Sequence, residues 1–166
     1  WWFMFFSFVA FGGFGGLASS LTISFNDLFG MSPVQSGYFT AACVFAGSLV
    51  RPMGGMLADR IGGIRTLLVV YSLAGVFLII VSFGAPSAWL ALVGFMFAMG
   101  TLGFGNGAVF QLVPQRFRKE IGVMTGLVGM AGGVGGFYLA ASLGYIKGLT
   151  GDYQIGLLIF AGLCFV

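Results

Sequence analysis

Arg51 is the one ionisable residue that lies clearly inside an apolar stretch of the sequence, where a charged side chain is costly. In a helix it shares a face with Gly47, Gly54 and Gly55. This pattern predicts that the guanidinium points into a helix bundle or a wet cavity and avoids lipid. Its planar fork of donors matches a flat oxyanion bidentately, so we predict an anion ligand. The alternative is a structural arginine that binds backbone carbonyls or an acid from outside this chain.

The acidic residues are informative because none of them lies within a predicted span. All four stand at predicted helix ends: Asp27, Asp59, Glu120 and Asp152. Proton relays in membrane transporters normally use Asp, Glu or His inside the spans. The sequence therefore contains no such relay, and any proton coupling would have to come from elsewhere.

The composition predicts that these residues are carried by a polytopic, all-α membrane bundle. Hydrophobic residues make up 59% of the 166 residues, charged residues only 7%, and the mean hydropathy is +1.08. This leaves too little polar surface to coat a soluble domain. The net charge of +3 comes from scattered basic residues and one short cluster, so nucleic acid is not expected as a partner. No nucleophile, base and acid are clustered, so an enzyme is not expected either.

Neither a metal nor a cofactor is predicted. The sequence has no histidine, and its two cysteines, Cys43 and Cys164, lie far apart in apolar stretches. This spacing fits neither a disulfide nor a metal site. We expect both cysteines to be packing residues.

Apolar runs long enough to cross a bilayer divide the chain into about six helices. They cover residues 3–25, 34–57, 64–83, 88–113, 121–146 and 153–166, the last of them truncated. The short connections make successive helices antiparallel neighbours. The chain begins without Met and ends inside an apolar run, so we expect it to be a fragment.

The basic residues predict the orientation of the helices. Two predicted connections contain five basic residues, whereas the alternate connections contain only Lys147; the five are Arg60, Arg65, Arg116, Arg118 and Lys119. The positive-inside bias makes those two connections cytoplasmic. The first helix is then expected to start in the cytoplasm.

Glycine is periodic in the fifth predicted helix. Five glycines follow one another in steps of four and three residues and fall on one face, namely Gly122, Gly126, Gly129, Gly133 and Gly136. Gly132 and Gly135 widen this face. The pattern predicts a groove in which another helix backbone approaches closely, although generic small-residue packing is the alternative.

The first helix places aromatic rings beside bare backbone. Phe8, Phe11, Gly12 and Gly15 follow the i, i+3, i+4, i+7 pattern of one helical side. With 20 phenylalanines in the chain, core packing is the alternative for either ring.

The run from Gly54 to Arg65, at the second predicted connection, closely resembles the cytoplasmic loop motif of the major facilitator superfamily. The motif residues are Gly54, Gly55, Asp59, Arg60, Gly62 and Arg65, in the run from Gly54 to Arg65. The glycines allow a tight turn. Asp59 is expected to accept from backbone N–H groups at a neighbouring helix start and to pair with Arg60 or Arg65, which would latch one conformation. Ordinary loop charge is the alternative.

This resemblance implies a fold of two six-helix halves, each built from inverted three-helix repeats, that enclose a midplane site and alternate its access. Three further runs resemble the nitrate/nitrite porter family of that superfamily: residues 103–111, which include Asn106, then Phe117-Arg118, and then residues 126–137. The resemblance covers the whole chain and implies helices seven to twelve, the C-terminal half. The glycines that match the second nitrate signature are Gly126, Gly129, Gly132, Gly133, Gly135 and Gly136.

The porter resemblance also implies roles for individual residues. Arg51 matches the C-terminal member of an arginine pair that clamps nitrate, and Phe11 matches one of the rings that sandwich the anion. The predicted substrate-binding residues are Arg51, Phe11, Phe8, Gly129 and Asn106. Ser7 departs from a substrate-binding tyrosine of some members and Gly129 from a serine, which leaves the choice between nitrate and nitrite open. The second arginine and the first signature are expected in an N-terminal half outside this chain.

The function implied is membrane transport of nitrate or nitrite by rocking-bundle alternating access. The expected partners are the anion, the lipid bilayer and the other half of the protein, and the expected location is the cell membrane. Two alternatives stay open: a facilitator for another small anion or carboxylate, and a non-transporting scaffold or sensor that keeps the fold.

Overall fold

The structure, a computed structural model, describes residues 1–84 and 86–165, and every regular element in them is an α-helix. The predicted all-α bundle is confirmed. The helices are α1 (Trp2–Phe29), α2 (Pro33–Leu49), α3 (Arg51–Ile61), α4 (Gly63–Ser82), α5 (Ala88–Arg116), α6 (Ile121–Thr150) and α7 (Gln154–Cys164).

The second predicted helix is interrupted at Val50, which separates α2 from α3. Pro52 explains the break, because it has no N–H for the carbonyl of Ser48 and its ring crowds that carbonyl. Arg51 is thus the first residue of α3. The interruption places the candidate arginine at a point where the helix direction can change.

Several helices run further than predicted. α1 passes through Asn26 and Asp27 to Phe29, and it ends where Gly30 takes a left-handed φ of 59°. α6 continues to Thr150 and ends in the same way at Gly151, with a φ of 77°. Polar residues in the last turn of α1 have partners, because Asn26 donates to the carbonyl of Met31 and Asp27 pairs across the bundle, as described below.

α5 also continues past its predicted end, to Arg116, although it contains Pro114. Pro114 has no N–H for the carbonyl of Phe110, so the helix loses this bond shortly before it ends at Arg116. At its start, α5 is capped by the hydroxyl of Ser87, which accepts from the N–H of Leu90 at 3.3 Å. The extra turn carries polar side chains beside the end of α3.

The core is centred on α5, which contacts α1, α2, α3 and α4, while α1 lies along α6. Its largest fully buried side chains come from α1, α4, α5 and α6 and include Leu17, Leu67, Met99 and Val128. Many large apolar side chains instead face outward, for example Leu68, Phe97 and Trp89. An apolar exterior of this kind suits hydrocarbon and not water.

Five segments are long and apolar enough to cross a membrane, if Pro33–Ile61 is counted as one span across the break at Val50. α7 is a shorter apolar helix. Cys43 and Cys164 are both buried and unbonded to each other, which confirms the prediction that they pack in the core.

Candidate anion-binding site

Close backbone packing between α3 and α5 fixes the position of Arg51. A Cβ on Gly107 would collide with the carbonyl of Arg51, and a Cβ on Gly103 would collide with the carbonyl of Gly47. These two α5 glycines lie four residues apart, so α5 packs along one line of small residues against the span formed by α2 and α3. The Arg51 backbone is pressed against α5, and its side chain extends beside α1.

Two aromatic rings of α1 receive the guanidinium. The Arg51 Cζ lies 4.4 Å from the ring centroid of Phe14 and 5.8 Å from that of Phe11. Both distances are within the range of cation–π attraction. This contact stabilises a cation in the bundle without neutralising its charge.

The donors of Arg51 have no partner among the described residues. The Nε atom is buried without a hydrogen bond, and no carboxylate of the described chain lies within ion-pair distance of the guanidinium. A buried donor left unpaired in this way costs free energy until an acceptor arrives. An acceptor beside Arg51, and above all a charged one, would relieve that cost.

An open cavity is lined by Arg51 together with two of the four other candidate residues. It is lined by Phe11, Ser48, Arg51, Pro52, Gly55, Met56, Asp59, Asn106, Gly107, Phe110 and Gln111. Asn106 is 3% exposed, and its Oδ1 has no hydrogen-bond partner among the described residues. The structure thus brings together three of the predicted substrate-binding residues: Arg51, Phe11 and Asn106.

Phe8 and Gly129, the other two predicted binding residues, lie outside this cavity. Phe8 packs toward α6, with its ring centroid 6.0 Å from that of Tyr138. Gly129 has no heavy atom of another helix within 4 Å of the position a Cβ would occupy. The structure does not group either residue with the guanidinium.

The partners predicted for Asp59 are wrong. Its carboxylate accepts hydrogen bonds from the side-chain amides of Gln111, at 3.1 Å to each oxygen, and Gln115, at 2.6 Å. It pairs with neither Arg60 nor Arg65. Both glutamines come from the last turns of α5, which extend beyond the predicted helix end. The motif carboxylate therefore ties α3 to α5 and lines the same cavity as Arg51.

The glycines of the loop motif act in two ways. Gly54 packs against the backbone of Phe104, and no Cβ would fit between them. Gly62 alone connects α3 to α4, with a φ of 92° that favours glycine. Gly55 lines the cavity, while Arg60 and Arg65 are exposed at the helix ends.

The periodic glycines and the signature glycines of α6 divide between two surfaces. Gly132, Gly135 and Gly136 face α1, whereas Gly122, Gly126, Gly129 and Gly133 have open space around them. The prediction of close backbone approach is confirmed for the first group, because a Cβ on Gly135 would collide with the carbonyl of Phe8. Of the five glycines predicted to share one face, only Gly136 contacts α1, so α1 packs against the edge of that face and leaves the other four open.

Gly132 connects the signature to the site. A Cβ at this position would collide with the ring of Phe11, and it would lie 2.9 Å from the hydroxyl of Ser7, which is fully buried without a partner. The absence of a side chain at Gly132 therefore makes room for the ring that faces Arg51.

Sequence reasoning missed Phe14, although it lies one turn from Phe11 and closer to the guanidinium. It also missed a cluster at the opposite end of the bundle, where Lys147 of α6 forms an ion pair with Asp27 of α1. The Tyr153 hydroxyl donates to the same carboxylate at 3.4 Å. Lys147 and Asp27 were each visible as end-of-helix charges, but their separation of 120 residues hides the pairing.

Comparison with known proteins agrees with this architecture. The family profile described as "Major Facilitator Superfamily" matches residues 1–140. The chain is 36% identical to the nitrite extrusion protein of Bacillus subtilis over 94% of its own length and 39% of the relative. It is 34% identical to a probable nitrate transporter of Staphylococcus haemolyticus over 93% of its length and 40% of the relative.

A third relative, a probable nitrate/nitrite antiporter of Thermus thermophilus, is 30% identical over 93% of the chain and 39% of the relative. The chain thus spans about two fifths of the length of these relatives. The predicted resemblance to nitrate and nitrite porters is confirmed by these similarities. The chain, with its five apolar segments long enough to cross a membrane, belongs to the Major Facilitator Superfamily.

Proposed function

We propose that this chain is the C-terminal six-helix half of a transporter that carries nitrate or nitrite, and that Arg51 is its half of the anion clamp. The observation that carries the proposal is the state of the guanidinium: it lies over Phe14, its Nε has no partner, and it opens onto a cavity. The names of the similar nitrate and nitrite transporters support the choice of anion. Their greater length leaves room for an N-terminal half that would complete the site.

Nitrate and nitrite suit this cavity because they are small, flat and acceptor-only. A guanidinium can donate two parallel hydrogen bonds to two oxygens of such an anion. The Asn106 side chain adds an NH₂ donor on the α5 side of the same cavity. The ring of Phe11 offers a flat apolar wall on the α1 side.

The proposed mechanism couples the charge of the site to its closure. A bare cation resists transfer to a closed, dry cavity, and a bound anion removes much of that cost. Closure of two halves around an occupied site is then favoured over closure around an empty one, which is what alternating access requires. The N-terminal half, the second arginine and the surrounding bilayer are parts of this proposal.

Transport competition in proteoliposomes tests the substrate. We expect the purified full-length protein to take up labelled nitrate, and unlabelled nitrite and nitrate to suppress that uptake, whereas acetate at the same concentration does not. Suppression by acetate together with uptake of labelled acetate would replace the proposal by a carboxylate facilitator. Nitrate binding without any flux would replace it by a non-transporting sensor.

A further inference from the structure

A second cavity, on the outside of the bundle, is apolar throughout. It is a groove between the α2–α3 span, α4 and α5, lined by Ala46, Val50, Leu57, Val69, Val70, Leu73, Val93, Met96, Phe97, Gly100, Thr101 and Phe104. Thr101 is the only lining residue with a hydroxyl, and that hydroxyl donates to the carbonyl of Ala98 at 2.8 Å. The groove offers no free polar group to a ligand, so its occupant must be hydrocarbon.

The groove is separate from the Arg51 cavity. Ala46, Val50 and Leu57 line the groove, whereas Ser48, Gly55 and Asp59 line the Arg51 cavity. At about 100° per residue, the two sets lie on opposite sides of the same span. A protein surface that covers the Arg51 cavity therefore leaves the groove facing the bilayer.

Two unpaired cations stand at the inner end of this groove. Arg65 lies one helical turn before Val69 on α4, and Arg60 follows Leu57 by three residues on α3. Both side chains are exposed, and neither makes an ion pair or side-chain hydrogen bond within the described part of the chain. The neighbouring Asp59 carboxylate is turned away from them toward Gln111 and Gln115.

We propose that the groove binds one acyl chain of an anionic phospholipid whose phosphate contacts Arg65 and Arg60. The α5 lining from Val93 to Phe104 extends over roughly 16 Å, which is comparable to the depth of one leaflet of hydrocarbon. An unfilled groove would forfeit dispersion contacts along this length. The arginine heads can reach the headgroup level while their stems stay on apolar surface, so a negative headgroup completes the fit.

Lipid titration followed by native mass spectrometry tests this site in the full-length protein. The probes are phosphatidylglycerol and phosphatidylcholine with identical acyl chains. The variants are Arg65→Gln, Arg60→Gln and the groove-filling Gly100→Leu, whose Cβ meets no heavy atom within 4 Å. Arg118→Gln is the matched control, because it removes the same charge from an exposed position on the other basic connection.

We expect saturable binding of one phosphatidylglycerol that is tighter than binding of phosphatidylcholine. Either arginine variant should weaken phosphatidylglycerol binding by about fivefold, the effect of one basic side chain near an anionic headgroup. Gly100→Leu should weaken the binding of both lipids, and Arg118→Gln should change neither. Equal affinities for the two lipids, equal effects of Arg65→Gln and Arg118→Gln, or saturable binding that survives Gly100→Leu would each overturn the proposal.

Discussion

Within the described residues, two cations lie against aromatic rings, and only one of them is paired with a carboxylate. At the end of α6, the Lys147 Nζ lies 4.7 Å from the ring centroid of Tyr153 and forms an ion pair with Asp27. Inside the second span, Arg51 lies 4.4 Å from the ring centroid of Phe14 and has no carboxylate partner among the described residues. The lysine is part exposed, with 31% of its side-chain surface accessible, so water could have served it without an acid.

This difference indicates what each cation is for. Lys147, which is part exposed, has a carboxylate partner. Arg51, which lies inside a span where a charge is more costly, has none among the described residues. A structural arginine at Arg51 would be expected to have the acid or the carbonyls that satisfy its donors. The unpaired state fits a site whose anion arrives from solution, whereas the Lys147 cluster fits a tie between the ends of α1 and α6.

The largest effect is expected from Arg51→Lys. Lysine keeps the charge but loses the planar fork, so bidentate binding of a flat anion is lost. We expect nitrate uptake by the full-length protein in proteoliposomes to fall to background while the variant still inserts, and Arg51→Ala to behave alike. Uptake near the wild-type rate in Arg51→Lys would show that a point charge suffices and would remove the bidentate argument.

Asn106→Asp sharpens the comparison, because it gives Arg51 the carboxylate that Lys147 already has. The substitution is nearly isosteric and places an acid in the cavity that Arg51 lines. We expect this internal anion to compete with nitrate and to raise the KM for uptake by about tenfold or more. Asn106→Leu removes the amide without adding charge and serves as the control, with a smaller rise in KM. An unchanged KM in Asn106→Asp would show that a carboxylate at position 106 does not interact with the Arg51 guanidinium.

Gly132→Ala tests whether the glycine signature positions the ring beside Arg51. The added methyl collides with Phe11, and such overpacking costs about 1–3 kcal/mol. We expect the KM for nitrate to rise, by roughly tenfold if about 1.4 kcal/mol is lost from binding. Because the collision is also present without nitrate, the melting temperature should fall by a few degrees relative to the control Gly144→Ala on the same helix. The Gly144 position is open to a methyl group. Equal KM values for nitrate in Gly132→Ala and Gly144→Ala would show that Gly132 does not position Phe11 for anion binding.

The smallest effect is expected from Lys147→Gln. Part-exposed ion pairs contribute about 0–1 kcal/mol, so the melting temperature should fall by only a few degrees. Uptake should stay within about twofold of wild type, because this cation neither faces the cavity nor meets the anion. A loss of uptake as large as that in Arg51→Lys would make the Lys147 cluster part of the transport cycle and would end the contrast between the two cations.

The sequence predicted the helices and the location of Arg51 in them, because hydropathy and glycine spacing are local signals. The resemblance to nitrate and nitrite porters added Phe11 and Asn106 to Arg51 as predicted binding residues, and these three line one cavity. The break between α2 and α3 at Val50 was not predicted, although a proline at position 52 is typical of an interrupted helix. The helices and the place of Arg51 within a span could be predicted because both depend on neighbours within about one or two helical turns.

The errors concern partners that are distant in sequence. Asp59 accepts hydrogen bonds from Gln111 and Gln115, more than fifty residues away, and Gln115 is in place because α5 continues past Pro114. The α6 glycines separate into two faces because the position of α1 decides which of them are covered. Helical periodicity gives the angle of each residue on its own helix, but it does not give the direction from which a neighbour approaches.

The most direct test is nitrate binding to the purified full-length protein, measured by isothermal titration for wild type, Arg51→Gln and Lys147→Gln. Each variant removes one of the two ring-stacked cations and leaves an uncharged side chain of similar length. The account predicts that nitrate binding is lost in Arg51→Gln and kept in Lys147→Gln. Equal affinities in wild type and Arg51→Gln would contradict it, because the unpaired guanidinium would then have no part in holding the anion.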